Sequence, residues 1–271
     1  MKIKLKKIAK KLLDRFEINL VRDPKSTLGL TPKKQLREYL ENFRPIDNGV
    51  PLIRVGEPGD GGYLVPDDLQ GIEACFSPGS DMLWTFESQL SSKYGIKSFI
   101  CDKEERRPNN LTEHQYFTPG WLGTETSEGF ISLGDWILQS NLQDSSDLIL
   151  QMDIEDAEWP VLFALNSKTL LRFRVIVVEL HFLSQMRNRL AFEKLFKPGL
   201  DKLFANFDVV HSHPNNCCGT FTIDGVEYPE LVEITFHRKD RAKSRSGYRN
   251  IPHELDSKCV PSKGDLTFPW K

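Results

Sequence analysis

Residues 147–182, DLILQMDIEDAEWPVLFALNSKTLLRFRVIVVELHF, decide the fold. DLILQMDIE is a short apolar run of the kind that forms a strand buried on both faces. FRVIVVELHF (173–182) is the strongest strand pattern in the chain. Between the two, the spacing predicts a helix over 156–168, with Pro160 in its first turn, where a missing N–H costs little. Strand, helix and strand in this order predict a crossover between parallel neighbours.

The alternation continues on both sides. Upstream, IEACFSPGS (72–80) reads as a strand ending in a turn, residues 82–94 as a helix, and KSFICD (97–102) as a second strand. HQYFT (114–118) predicts a short third strand, and SLGDWILQSNL (132–142) a capped helix. Downstream, residues 185–205 have the longest later helical pattern, followed by strands at FDVVHSH (207–213) and VEITFHR (232–238). Gly225 lies between TFTID and VEYPELVEITFH, which predicts a hairpin that places an antiparallel strand at one sheet edge. The expected fold is therefore α/β and Rossmann-like: a mostly parallel seven-stranded sheet, helices on both faces and an antiparallel edge hairpin.

Ahead of this core, Thr31 and Pro32 are placed to open a helix over 31–44. LIRVGEPGDGGYLVPDDL (52–69) reads as two short strands around a Gly-rich turn. The expected organisation is an N-terminal helical segment (1–47), one α/β domain (48–237) and a solvated C-terminal tail (238–271). A chain of 271 residues with 39% hydrophobic residues and 17 Phe can bury a sizeable core. The net charge of -2 gives no global argument for nucleic acid or for an acidic partner. Cys75, Cys101, Cys217, Cys218 and Cys259 form an odd set without CxxC spacing, which fits reduced thiols in a cytoplasmic protein. Residues 1–16 carry six lysines and an arginine at roughly helical spacing from apolar residues. A surface leader is the simpler expectation, and a helix lying on an anionic membrane surface is the alternative.

In an open α/β sheet, ligands lie outside the carboxyl ends of the strands. The first full strand ends in Ser77, Pro78, Gly79 and Ser80, a small turn that lets backbone approach a ligand closely. The second ends in Asp102, which can accept hydrogen bonds from the two ribose hydroxyls of an adenosine-containing cofactor. A single SPGS turn lacks the GxGxxG spacing of a pyrophosphate cradle, so NAD is disfavoured. S-adenosylmethionine (SAM) has no phosphate and needs no such cradle. A nucleotide-sugar oxidoreductase is disfavoured too, since neither the dinucleotide glycine pattern nor a Tyr-x-x-x-Lys pair occurs.

CFSPGS (75–80), CDK (101–103), LGDWI (133–137), LQMDIEDAEWPVL (150–162) and VIVVELH (175–181), in this order, resemble the FkbM-like class I SAM-dependent methyltransferases. With RVGEPGDGGYLVPDD (54–68), they look closest to the branch that includes methyltransferase-like protein 24 and related bacterial proteins. The likeness spans roughly residues 52–236. Where the family usually carries D-[IV]-E-G-A-E, this chain has DIEDAE, with Asp156 in place of the glycine. Asp156 is read as opening a helix, where an acid is favourable.

The resemblance implies SAM at the carboxyl ends of strands one to three. It implies contacts from Ser77, Pro78, Gly79 and Ser80, from Asp102 and Lys103, and, near the adenine, from Trp121, Leu122 and Gly123. It also implies that the DGGY turn, through Asp60 and Tyr63, closes the pocket. Members commonly methylate oxygen on sugars or related polar molecules, so a small-molecule or glycan acceptor is expected. The alternative is a non-catalytic SAM- or nucleotide-binding module in a biosynthetic assembly.

On the second half of the sheet, Asp153 and Glu155, Glu179 and His181, and His211 and His213 follow three strands. Alternate residues share a strand face, which pairs Glu179 with His181 and His211 with His213. One mechanism uses His181 as general base, oriented by Glu179, with Asp153 and His213 beside them. Another has Asp153, Glu179, His181 and His211 hold a divalent metal that acidifies the acceptor oxygen. The metal-free version is preferred. HPNNCCG (213–219) is read as a loop over the acceptor pocket, its two cysteines packing structurally.

Overall fold

The structure is a computed structural model that describes residues 29–79, 84–103 and 111–270. The basic stretch 1–16, Ser80 and the start of the expected 82–94 helix lie outside the described residues.

Seven strands form the central sheet: β3 (Ile72–Pro78), β4 (Lys97–Asp102), β5 (Gln115–Pro119), β8 (Asp147–Met152), β9 (Phe173–Leu180), β10 (Phe207–Pro214) and β13 (Val232–Arg238). Their order is β10-β13-β9-β8-β3-β4-β5. The pairs β3·β4, β4·β5, β3·β8 and β8·β9 are parallel, while β13 runs antiparallel between β9 and β10. The sheet is thus mixed and mostly parallel. The antiparallel strand stands one place in from the edge, not at the edge. The Gly225 hairpin, β11 (Thr220–Ile223) with β12 (Val226–Pro229), is a separate small sheet. Short pairs β1 (Leu52–Val55) with β2 (Tyr63–Pro66), and β6 (Trp121–Gly123) with β7 (Phe130–Ser132), complete the strands.

Every residue of β9 is buried, as the apolar run demands. Alternation splits the core between the two faces. Ala74, Phe76, Leu150, Ile176 and Val178 join one cluster, whereas Cys75, Ile149, Val175 and Val177 join another. Helix α1 (Lys33–Leu40) packs on the first face with α3 (Leu133–Gln139) and α4 (Glu158–Ala164). On the second face lie α2 (Thr85–Tyr94), through Phe86 and Leu90, and the β1–β2 hairpin, through Val55, Tyr63 and Val65.

Several boundaries depart from the sequence expectation for local reasons. Thr31 does not cap α1; its hydroxyl donates to the Met186 carbonyl at 2.7 Å. The helix expected over 156–168 is α4 followed by a separate turn, α5 (Ser167–Leu170), capped by Asn166. It cannot begin at Asp156, because Glu155 and Asp156 have φ of 56° and 88°, outside the helical region. The later helix begins at Asn188, whose side chain caps α6 (Arg189–Ala191). It passes through a π-helical turn (Phe192–Phe196) into α7 (Lys197–Asn206). Cys217 and Cys218, expected as reduced thiols, are joined in a disulfide. The tail, mostly exposed or half-buried, lies along the surface with Phe268 buried, and Asp256 and Cys259 reach polar groups of the sheet. No helix among the described residues is long and apolar enough to cross a membrane.

At the amino end of the parallel strands, Arg174 pairs with Asp147 at 2.6 Å and donates to the Asp68 and Gln70 carbonyls. Arg238 takes the other Asp147 oxygen, and Arg241 takes Asp68. This network fastens the end of β13 and the start of the tail to the sheet. Arg174→Met should lower unfolding free energy by about 3 kcal/mol, because it leaves two partly buried carboxylates short of a partner. Urea denaturation of the two proteins at neutral pH measures the loss; an unchanged midpoint would assign the network no stabilising role.

Candidate active site

The carboxyl ends of β3, β4, β8 and β9 meet along one rim, because parallel strands present the same end to one side. Gly79, just past β3, has φ 84°. A Cβ there would stand 1.7 Å from the Asp153 carbonyl oxygen, so only glycine permits this approach. The contact is backed by the Asp153 N–H donating to the Pro78 carbonyl at 3.4 Å. The end of β3 is thereby locked to the first residue past β8.

Asp153 is the start of an acidic ring around His181. The His181 Nε2 lies 3.8 Å from Asp153, 3.9 Å from Glu179 and 3.9 Å from Glu155; Nδ1 lies 3.2 Å from Glu158. Glu158 is fully buried and accepts the backbone N–H groups of Ile154 (2.7 Å) and Asp156 (2.9 Å). It thus holds the left-handed turn at Glu155 and Asp156. Trp159 fixes His181 from the other side, its indole N–H donating to the His181 carbonyl at 2.8 Å. The φ of 88° at Asp156 is one that glycine adopts most readily; here an aspartate bears the strain, with Gln185 donating to its carboxylate at 3.4 Å.

These neighbours set the charges. Burial alone would lower the His181 pKa, but Glu158 first, then Asp153 and Glu155, carry it to about 10. Burial raises Asp153 to about 7 against the pull of the His181 cation. Glu179 is driven well above the carboxylate range by burial, by Asp153 and by Glu233, and accepts from the Asn215 amide at 2.6 Å. The surroundings therefore favour the imidazolium form of His181 and raise both Glu179 and Asp153 above the ordinary carboxylate range. His181, expected from the sequence as general base, thus stands among carboxylates that favour its cationic form.

Beneath the Gly79 turn runs a buried polar chain. Ser77 lies against both Glu87 and Gln151, the latter at 2.6 Å, and the Gln151 amide donates to the Tyr63 hydroxyl at 3.1 Å. One hydroxyl proton cannot serve two acceptors, so a protonated Glu87 that donates to Ser77 completes the chain. Burial raises Glu87 to about 7, which agrees with that form. Ser77, expected to touch the cofactor, thus spends its hydroxyl inside the protein. The Tyr63 ring packs on Phe86 and is buried, with Asp153 and Glu179 close enough for their charge to act on its hydroxyl. Asp60 is exposed in the preceding turn, where Arg54 gathers the carbonyls of Glu57, Gly59 and Gly62.

Asp102 closes β4, and its carbonyl accepts from Gly120 N–H at 3.2 Å, which brings β6 to the same rim. There Trp121 stands by Lys103, 6.0 Å from ring centre to ammonium, and its buried indole nitrogen has no partner. Leu122 is buried in the core, and Gly123 faces the Phe130 ring. Of these three residues, Trp121 alone is half-buried rather than buried.

Among the described residues, two groups of side chains converge as metal ligands would: Asp153, Glu179 and His181, and His213, Glu233 and Cys259. His211 belongs to neither. Its Nε2 meets Asp256 at 2.8 Å, which separates it from the set expected from the sequence. His213 likewise turns to Glu233 at 3.1 Å instead of joining the His181 ring. Sequence reasoning overlooked four contributors. Glu158 and Glu233 are visible as acids within apolar runs, and Glu87 sits on the helix after the Gly79 turn. Cys259 lies in a segment without periodicity and gave no signal. No protein-family model matches the chain, and no curated protein matches it.

The Glu87 chain gives a signed pH effect. Folded Glu87 keeps its proton up to about 7, above its ordinary 4.5, so its contribution is present at acid pH and lost as pH rises between those values. Glu87→Gln removes the ionisation. Its stability relative to wild type should therefore improve by on the order of 1–3 kcal/mol between pH 5 and pH 8. Parallel urea titrations at the two pH values test it; an equal difference at both would show that Glu87 does not titrate in this range.

Proposed function

We propose that the protein is a SAM-dependent methyltransferase that transfers a methyl group to a hydroxyl of a sugar, glycan or related polar molecule. The observation that carries this is the convergence on one rim of Gly79, Asp102 and Trp121 with Asp153, Glu179 and His181. The first three suit an adenosine-containing ligand without phosphates: a close backbone approach, an acid for a ribose diol, and an indole beside an adenine. The sheet order supports the same reading. A reversed strand inserted beside the last parallel one is the arrangement of the class I methyltransferase fold that the sequence segments resemble. A non-catalytic binding module would have no use for the second three residues.

Methyl transfer from a sulfonium is an in-line displacement, so the protein must align the acceptor oxygen and take its proton. Asp153 is placed for this. It adjoins Gly79, where the sulfonium would lie, and titrates near neutral pH. His181 is the positioning cation: it counters the carboxylates around it and keeps Asp153 ionisable in a buried ring. Glu179, protonated and hydrogen-bonded to Asp153, orients the base. The spacing of Asp153, Glu179 and His181, whose ligand atoms lie within 4.8 Å of one another, supports a second version in which these three would hold a divalent metal that would supply Lewis acidity toward the acceptor hydroxyl. Activity that survives exhaustive chelation would remove that version.

Calorimetry with SAM, S-adenosylhomocysteine and NAD tests the cofactor. SAM and its product should bind and NAD should not. Asp102→Ala should weaken both by about 1–3 kcal/mol through lost charge-assisted hydrogen bonds. NAD binding with no response to S-adenosylhomocysteine would overturn the proposal.

With an acceptor found by labelled-SAM transfer to extracts, turnover should rise as pH passes about 7, where Asp153 loses its proton. It should fall near pH 10, as His181 loses its own. Asp153→Asn should cut turnover by roughly 10²–10⁴-fold and spare SAM binding. Undiminished turnover in that variant would take Asp153 out of the chemistry.

A further inference from the structure

We infer that His213, Glu233 and Cys259 form a binding site for a thiophilic divalent cation of the zinc class, distinct from the ring around His181. The three residues come from separate parts of the chain: the end of β10, the start of β13 and the C-terminal tail. Their ligand atoms nevertheless meet. His213 Nδ1 is 3.1 Å from Glu233 Oε2, Cys259 Sγ is 3.0 Å from Glu233 Oε1, and Sγ is 4.0 Å from His213 Nδ1. One ligand atom from each residue lies within 4.8 Å of the others, near the roughly 3.3–3.6 Å that zinc bonds of about 2.0–2.3 Å at tetrahedral angles require, so side-chain adjustment would admit the ion. Imidazole, carboxylate and thiolate together are a zinc-like donor set, and three protein ligands leave a fourth position for water or substrate.

The site is also preorganised, which a chance meeting of side chains on a loose tail would not be. Cys259 is held between two anchors: Asp256, bound to His211 Nε2 at 2.8 Å, and Val260, whose N–H donates to Asn216 at 2.8 Å while its carbonyl accepts from the Asn216 amide at 3.0 Å. On the sheet side, Glu233 pairs in register with both His213 and Glu179, so the ligands rest on adjacent strands. Carboxylates dominate the surroundings: Glu233, Glu179 and Asp60 all act on the Cys259 thiol. Arg54, whose charge reaches His213, is committed to the carbonyls of Glu57, Gly59 and Gly62. Without a cation, the Cys259 S–H donates to Glu233. On binding, the S–H bond breaks, the sulfur keeps the electron pair as the metal–sulfur bond forms, and the proton leaves to solvent. Occupied, the site would clip the tail across β10 and β13.

The full chain, stripped of metal by chelation, is titrated with Co²⁺ and followed by absorption. A thiolate-to-cobalt charge-transfer band with tetrahedral ligand-field bands should appear and be displaced by one equivalent of Zn²⁺. The charge-transfer band should vanish in Cys259→Ala and persist in Asp153→Asn, which separates this site from the His181 ring. Wild-type protein that shows no thiolate band under Co²⁺ overturns the inference whatever the fate of the variants, and so does a band that survives Cys259→Ala. Failure of SAM binding would leave this result untouched.

Discussion

The rim depends on one close approach, the Gly79 backbone against the carbonyl of Asp153. The positive φ that permits it stands just past the end of β3, while the contact fixes Asp153 just beyond β8. Any side chain at Gly79 would push these two strand ends apart. With them would go the alignment between the Gly79 turn and the Asp153 carboxylate. The two strand ends are thus one mechanical unit, which on the proposed function joins the cofactor side of the rim to the acceptor side.

From Asp153 the constraint passes to charge. Four carboxylates around one buried histidine would be costly if all were ionised, and the protein distributes protons to avoid this. His181 gains one and Glu179 keeps one. Glu158 instead spends both oxygens on the Ile154 and Asp156 N–H groups and sits against the His181 ring. The same Glu158 makes the strained turn at Glu155 and Asp156 tenable, so one side chain serves both backbone geometry and electrostatics. The protonation preferences follow from this packing, and on the proposed function they favour Asp153 over His181 as the base.

The layers were readable in the sequence because burial on both faces leaves an unbroken apolar signature, as in 147–152 and 173–180. The rim was readable for a related reason: Asp102, Asp153, Glu179 and His181 are polar interruptions at the ends of those runs. What stayed hidden depends on pairing and dihedral angle. The place of β13, inside the edge, is a choice of partner that its own residues do not record. The helix after β8 starts at Glu158 because two left-handed residues precede it, and neither is a glycine that would announce the turn. His211 and His213 lie on one strand yet divide between Asp256 and Glu233, since the tail supplies one partner and β13 the other. The tail itself is held by individual polar anchors, which leave no periodic trace.

On the proposed function, the joined strand ends at Gly79 and Asp153 seat an adenosine-containing sulfonium with the acid ring beside it. A crystal structure with S-adenosylhomocysteine bound tests this most directly. The account predicts the ribose hydroxyls on the Asp102 carboxylate, the adenine against Trp121, and the sulfur between Gly79 and Asp153. Ligand lodged away from this rim, or a rim without ligand in crystals grown at saturating concentration, would contradict it.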